Sequence, residues 1–374
     1  MTEASVQRSP EDWRSGVSSL RRDTHTYREI MEQPSAWRGA LSEGRRQWAD
    51  VAARLGADAM ARDLVVQGCG SSLYLSQAVA SQLRIAGRSA SAVPSSELLL
   101  HAPSALGPDR PRLLVSLSRS GETTEVVLAT DAAKRERGMP VLVETCYGGS
   151  SLARRGDAVL EVTSGQEASV VMTKSFTTEL LAFQTGLHYF GGPSLDADLD
   201  RLPDALDKLL ATSGEQAMLA GSQPGVEKRV FLGSGPYYGL ALEANLKMKE
   251  MAIVTSEVYH NLEFRHGPIS IVDERTQVVV FISDSGRAYE VPLLAELKAL
   301  GATLVVICER AEPAIVRSAD YLFELTSGVS EAARAALYLP ITHLLAYACA
   351  VSRGENPDSP RNLTQVVKLS QTGQ

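Results

Sequence analysis

Apolar residues change their spacing along the chain. From Ile30 they recur at helical intervals, at Trp37, Leu41, Trp48, Val51 and Leu55, which predicts a helical arm. From Asp63 the pattern becomes short apolar runs closed by glycine or serine. Leu64-Val65-Val66 precedes Gly68-Cys69-Gly70, and Leu113-Leu114-Val115 precedes Ser118-Arg119-Ser120-Gly121. Val141–Val143 and Val159–Val162 continue the series, with the longer amphipathic stretches Leu73–Ala86 and Thr124–Gly138 between the runs. Strands alternating with helices in this way predict an α/β fold around a parallel sheet.

The series then recurs. Val230-Phe231-Leu232 precedes Gly233-Ser234-Gly235, Val278–Phe281 precedes Ser283-Asp284-Ser285-Gly286, and the runs Leu304–Ile307 and Tyr321–Leu325 follow. One offset, 165 residues, separates Gly68 from Gly233 and Ser118 from Ser283. Self-similarity at a fixed spacing is the mark of repetition. The expected architecture is two tandem, doubly wound, flavodoxin-like units with parallel sheets. An N-terminal helical arm (1–55) precedes the first unit (56–195), a helical connector (196–228) leads to the second (229–352), and a C-terminal tail (353–374) follows.

Composition narrows the function. At 374 residues, 44% apolar and 22% charged, the chain has the make-up of a globular protein with a large core. Its 37 basic and 44 acidic residues leave a net charge of −7, so no basic field exists to gather nucleic acid or anionic lipid. Cys69, Cys146, Cys308 and Cys349 are far apart and form no CxxC pair, so neither a disulfide framework nor a metal site is expected, and no cofactor. Residues 1–22 lack the apolar segment of a secretory signal. The stretch Ala335–Val351 contains Pro340, Thr342 and His343 and reads as a buried helix, not a membrane span. A cytoplasmic protein is expected.

Two loops of the first unit, Gly68–Ser72 and Ser118–Thr124, each deliver several hydroxyls to the start of a predicted helix. Orphan backbone N–H groups and the positive dipole end at such a start suit a phosphate. The same serines also serve as ordinary helix caps. A third polar run, Val171-Met172-Thr173-Lys174-Ser175, adds hydroxyls and a cation. In the second unit, Asp284 stands between the serines of the matching loop, so this copy is not expected to hold an anion. Within Leu240–Met251, Glu243, Lys247 and Glu250 fall in an arc of about 60° on one helical face. That spacing equally describes a solvated ion-pair stripe. His266, in Glu263-Phe264-Arg265-His266-Gly267-Pro268, sits at a turn where it could exchange protons near neutral pH, whereas His343 reads as a core histidine. A carboxylate base and a histidine acid are the minimum set for moving a proton between neighbouring carbons of an opened sugar.

These residues resemble the sugar isomerase (SIS) family, and within it the isomerase half of glucosamine-6-phosphate synthase and the stand-alone amino-sugar-phosphate deaminases. The resemblance rests on Gly68-Cys69-Gly70-Ser71-Ser72, Ser118–Thr123, Thr173–Thr177, Leu242–Glu250, Glu263–Pro268 and Pro360-Arg361-Asn362-Leu363. It implies that Ser72, Ser118, Ser120 and Thr123 hold a sugar phosphate, with Gly70, Ser71 and Arg119 beside them and Val171 near the sugar hydroxyls. Glu250 would be the base between C1 and C2, with Glu243 and Lys247 positioning the open chain. His266 would open the ring, reaching across from the neighbouring subunit of a homodimer with shared active sites. Two departures set the expected reaction. The chain begins Met1-Thr2-Glu3 where the synthase has a glutaminase cysteine, and Gln365 stands where the synthase has a tail lysine, the nearest lysine being Lys368. The resemblance therefore implies a metal-free deaminase and isomerase converting a hexosamine 6-phosphate, such as glucosamine 6-phosphate, to a ketose phosphate and ammonia. Galactosamine-6-phosphate deaminase, fructosamine-6-phosphate deglycase, plain phosphosugar isomerase and a non-catalytic amino-sugar-phosphate sensor remain open as alternatives.

Overall fold

The computed structural model describes residues 20–369. Most of the segment read for a secretory signal, and the last five residues of the tail, lie outside the described residues. The longer helices are α1 (His25–Met31), α2 (Gln33–Ala61), α3 (Ser71–Ile85), α4 (Thr124–Arg137), α5 (Lys174–Gln184), α6 (Leu202–Gly221), α7 (Tyr238–Ala252), α8 (Arg287–Ala299) and α9 (Tyr338–Ser352). The helical spacing that fades after Leu55 in the sequence meets a real break there. Gly56, with φ of 77°, interrupts α2, and a short helical stretch resumes to Ala61.

The first sheet comprises β1 (Asp63–Gly68), β2 (Ala90–Pro94), β3 (Arg112–Leu117), β4 (Val141–Thr145) and β5 (Ala158–Glu161). Its order is β2-β1-β3-β4-β5 and every pairing is parallel. The second sheet comprises β6 (Lys228–Leu232), β7 (Ser256–Tyr259), β8 (Thr276–Phe281), β9 (Thr303–Cys308) and β10 (Tyr321–Glu324), ordered β10-β9-β8-β6-β7 and again all parallel. Both follow the flavodoxin-like order, so the α/β fold is the tandem, doubly wound one expected. Every residue of the central strands β3 and β8 is buried, as helices on both faces require.

The two sheets share one core. A continuous set of buried apolar residues runs from Ile30 to Ala350, while separate clusters fill the far face of each sheet. Helix α2 is pinned to α5 by two indoles: Trp37 Nε1 donates to Thr177 Oγ1 at 2.8 Å and Trp48 Nε1 to the Ala182 carbonyl at 2.9 Å. At the centre, α9 packs on α6 and α7. The segment Arg334–Ser352 is long and apolar enough to cross a membrane, yet 89% of its apolar window is buried inside the fold. His343 lies within it, fully buried, with both ring nitrogens unpartnered. Burial, reinforced by the Lys247 ammonium, lowers its pKa to about 3, so it is a neutral core residue.

Candidate active site

In a flavodoxin-like sheet the ligand crevice opens at the carboxyl ends of the strands where their order reverses, here between β1 and β3. The two hydroxyl-rich loops leave those two strands. Gly70, at φ 56° and ψ −126°, turns the chain off β1 into α3, a conformation that a side chain would strain. Between the loops lies an open cleft of about 160 Å³. Gly70, Ser71 and Ser72 line one side and Ser118, Arg119, Ser120 and Thr123 the other, so seven of the expected binding residues meet around one space. Hollows of about 270 and 350 Å³ exist elsewhere, but neither is lined by a comparable set of hydroxyls.

The second half supplies a charged side chain to the cleft. Helix α7 crosses α3 at Gly239, where a Cβ would stand 2.8 Å from both the Tyr74 carbonyl oxygen and the Ala78 nitrogen, so only glycine permits this approach. The crossing takes the polar stripe of α7 out of solvent. Glu243 and Lys247 are fully buried and Glu250 opens into the cleft with its side chain 20% exposed. Lys247 Nζ pairs with Glu250 Oε2, donates to Ser71 Oγ at 3.0 Å and stands 3.3 Å from Glu243 Oε1. Ser71 Oγ in turn donates to Glu243 at 3.1 Å. One serine thus ties the hydroxyl loop of the first half to the charged stripe of the second.

Burial sets the charges here. It raises the Glu243 carboxyl to about 7, with Lys247 opposing and Glu250 adding to the shift. For Lys247 burial works the other way, but Glu243 and Glu250 outweigh it and hold the ammonium above the ordinary lysine range.

Other candidates fall differently. Arg119 lines the cleft but its guanidinium is committed: it stands 3.3 Å from Glu167 and donates to the Val170 carbonyl at 2.9 Å and the Ser169 carbonyl at 3.4 Å. Glu167 also accepts from the Thr173 N–H at 2.7 Å, from Thr173 Oγ1 at 2.8 Å and from Ser175 Oγ at 2.5 Å, so it organises the start of α5 as well. Val171 does not reach the cleft. Its side chain is 2% exposed and packed in the core, and its neighbours Val170 and Met172 form the wall. His266 is exposed beyond a short helical turn and is absent from the wall of the cleft formed by one chain.

The tail contributes what the strand and helix patterns could not indicate. Leu363, Thr364, Gln365 and Val367 close one side of the cleft. The Val367 carbonyl accepts from the Thr124 N–H at 3.3 Å, and the Leu369 N–H donates to Thr124 Oγ1 at 3.2 Å. Gln365, not Lys368, faces the space.

The matching loop of the second half repeats the first in detail. The Gly121 N–H donates to Ser118 Oγ at 3.1 Å, and the Gly286 N–H to Ser283 Oγ at 2.8 Å. This copy does seat an anion, supplied by the chain itself. Glu331 accepts from the Asp284 N–H at 2.7 Å and from the Ser285 hydroxyl, while Glu290 accepts from the Ser283 N–H at 2.7 Å. Asp284 points instead to Arg334, with which it pairs at 2.5 Å. The acid between the serines therefore does not empty the loop of anions; an internal carboxylate fills it. Among the described residues no group of three or more His, Cys, Asp or Glu side chains could hold a metal ion.

Known proteins are similar to this chain in sequence and fold. The chain is 31% identical over 355 residues to the glutamine–fructose-6-phosphate aminotransferase (isomerizing) of Pyrobaculum aerophilum, with 91% of this chain and 57% of that protein covered. The match thus spans little more than half of that relative's length. A Streptomyces coelicolor protein, provisionally named a D-galactosamine-6-phosphate deaminase, is 32% identical, with 90% of this chain and 91% of that protein covered. Among solved structures, the tagatose-6-phosphate ketose/aldose isomerase of Escherichia coli superposes with a TM-score of 0.81 at 25% identity, covering 90% of this chain and 95% of that one. The glucosamine-6-phosphate deaminase of Thermotoga maritima does so with a TM-score of 0.73 at 26% identity, covering 92% and 100%. The SIS domain pattern matches residues 59–189 and 225–352, one stretch for each sheet and together more than half of the chain, so the chain belongs to the SIS domain family.

Proposed function

We propose that the protein is a hexosamine-6-phosphate deaminase and isomerase, which releases ammonia from a 2-amino-2-deoxyhexose 6-phosphate and leaves the 2-keto sugar phosphate. The observation that carries this reading is Glu250, held by a buried lysine and opening into a cleft walled by the Ser72, Ser118, Ser120 and Thr123 loops. The helix starts behind those loops suit the phosphate. Glu250 then lies where a proton can be moved between C1 and C2 of the opened sugar.

The steps follow from the residues. A second copy of the chain supplies His266, which gives its proton to the ring oxygen and takes one from the C1 hydroxyl as the pyranose opens. The Glu250 carboxylate takes the proton from C2 while His266 returns its proton to the aldehyde oxygen at C1, giving an enolamine. Glu250 returns its proton to C1, which leaves an imine at C2. Water adds to C2, the carbon–nitrogen bond breaks, and ammonia departs. Lys247 holds Glu250 in place, and Ser71 holds Lys247 against the phosphate loop. Gln365 replaces a tail lysine with a neutral amide, so no Schiff base forms at that point of the wall.

The full-length match to the Streptomyces deaminase and the likeness to the Thermotoga enzyme support deamination. The likeness to the tagatose-6-phosphate isomerase favours a second reading, isomerisation of a neutral sugar phosphate with the same base. Glucosamine 6-phosphate, galactosamine 6-phosphate and a neutral hexose 6-phosphate, each assayed for ammonia and ketose phosphate with coupling enzymes, separate the two. Ketose phosphate formed from the neutral sugar alone would replace the first reading by the second.

A further inference from the structure

Two glutamates behind the cleft have no part in the steps above. Glu144, near the carboxyl end of β4, and Glu179, in the middle of α5, are both fully buried. None of their four carboxyl oxygens has a hydrogen-bond partner within the fold. Charged, such groups would be among the most costly features a core can hold, and two carboxylates in one apolar site do not both ionise. The local packing places α5 against the end of β4: a Cβ on Gly165 would meet Thr178 Oγ1 at 2.5 Å and Cys146 Sγ at 2.8 Å.

The charges around the pair are few and mostly committed. Arg119 acts on Glu179 from the phosphate loop and Glu167 from the loop before α5, and these two pair with each other. Cys146, just past β4, is kept a neutral thiol by burial and by Glu179 and Glu167. Lys174 on α5 is paired with Glu32 at 3.0 Å, and Glu43 on α2 binds the Ser164 hydroxyl at 2.8 Å. Burial, with the repulsion of Glu179, drives Glu144 well above the ordinary carboxyl range. Burial also raises Glu179 to about 8, with Arg119 opposing the shift and Glu167 adding to it.

We propose that Glu144 and Glu179 form a carboxyl pair that keeps the wall behind the phosphate loop uncharged at neutral pH and, on losing a proton, weakens the loop's hold on a phosphate monoester. Glu179 acts through Arg119 and Glu144 through Glu179, and neither lines the cleft, so they are positioning residues. The link to phosphate rests on the reading of the cleft given above. Once Glu179 ionises, Glu144 keeps its proton, and a negative charge acts on Arg119 and opposes an anion at the loop. A phosphate monoester is already dianionic well below that pH, with its second pKa at about 6, so its own titration does not produce the effect.

The test is the dissociation constant of a phosphate monoester, glycerol 3-phosphate, by calorimetry, across pH, for the full chain and its Glu179→Gln and Glu144→Gln/Glu179→Gln variants. Glutamine copies the shape and neutrality of the protonated acid, so both variants are expected to fold. In the unaltered protein the constant should rise roughly three- to tenfold between about pH 7 and about pH 9, the size expected of one nearby buried charge. It should stay flat in both variants over the upper part of that range, whereas Glu243, intact in all three, contributes equally to each. A constant that is flat in the unaltered protein, or that rises equally in the variants, would overturn the proposal. Infrared spectra supply an arm independent of the cleft. In the difference between the unaltered protein and the double variant, which cancels the share of Glu243, a protonated-carboxyl band should be present near pH 7 and diminish through about pH 8. If no protein binds the phosphate monoester, the reading of the cleft and the anion link fall together, while the band still decides whether the pair exists; its absence would overturn that as well.

Discussion

Lys247 and Glu250, three residues apart on α7, form an ion pair in which the lysine is fully buried and the glutamate is one-fifth exposed to the cleft. The lysine also touches Ser71 and Glu243, so a single cation holds together Glu250, its buried neighbour and the first hydroxyl-rich loop. Removing one member of a buried charge network leaves the others uncompensated, at a cost of about 3–5 kcal/mol. Lys247→Met should therefore lower stability by about that amount in chemical denaturation and abolish turnover. A variant as stable as the unaltered protein would show that the network is solvated.

Glu243 gives a pH signature of opposite sign to a surface salt bridge. Its carboxyl ionises near 4.5 when unfolded and near 7 in the fold. Between those values the folded state keeps a proton that the unfolded state has released, so stability falls as pH rises from about 4.5 to about 7 and then levels. The full excursion is about 3 kcal/mol on the linkage scale. Denaturation of Glu243→Gln beside the unaltered protein at about pH 5 and about pH 7.5 should show the difference in stability moving toward the variant at the higher pH. A difference that does not move would contradict the burial account.

Arg119 is a structural cation before it is a ligand. Its guanidinium spans Glu167 and two backbone carbonyls, a fork that lysine cannot reproduce. Arg119→Ala should cost about 3–5 kcal/mol by stranding Glu167. Arg119→Lys should keep the charge yet still weaken phosphate binding, because the loop Ser169–Val170 loses its anchor. An Arg119→Lys variant as stable as the unaltered protein and binding phosphate as tightly would show that geometry is unimportant there.

At the tail, Gln365 faces the cleft and Lys368 does not. Gln365→Ala should raise KM for a hexosamine 6-phosphate several-fold with an unchanged melting temperature, since the side chain is exposed and packs against little. Lys368→Ala should change neither. A loss of activity confined to Lys368→Ala would reverse the assignment.

The sequence made the central strands readable because parallel strands buried on both faces are unbroken apolar runs, as in Leu113–Val115 and Val278–Phe281. It did not reveal β2 and β7. Both are edge strands with only one fully buried residue each, so Ala90–Pro94 and Ser256–Tyr259 carry no such run. At the site, local motifs located the two hydroxyl loops and the stripe on α7. Spacing alone left that stripe indistinguishable from a surface one, because what buries it is the approach of α3 at Gly239, a contact between distant segments. The same holds for the tail, which reaches Thr124 from 245 residues away. Val170 and Met172 wall the cleft beside Val171 in a loop tied down by Arg119 and Glu167, and Glu167 itself carries only the weak signal of an acid ahead of a hydroxyl-rich helix start.

The central claim is that Glu250 moves the proton. The measurement closest to it is ammonia release from glucosamine 6-phosphate and galactosamine 6-phosphate by the unaltered protein and by Glu250→Gln, with phosphate binding measured on the same samples. The account predicts ammonia and ketose phosphate in equal amounts from at least one of the two sugars. It also predicts a fall of roughly 10²–10⁴-fold in the variant, the range expected for a lost general base, with phosphate binding retained. Turnover by Glu250→Gln at the unaltered rate would contradict it.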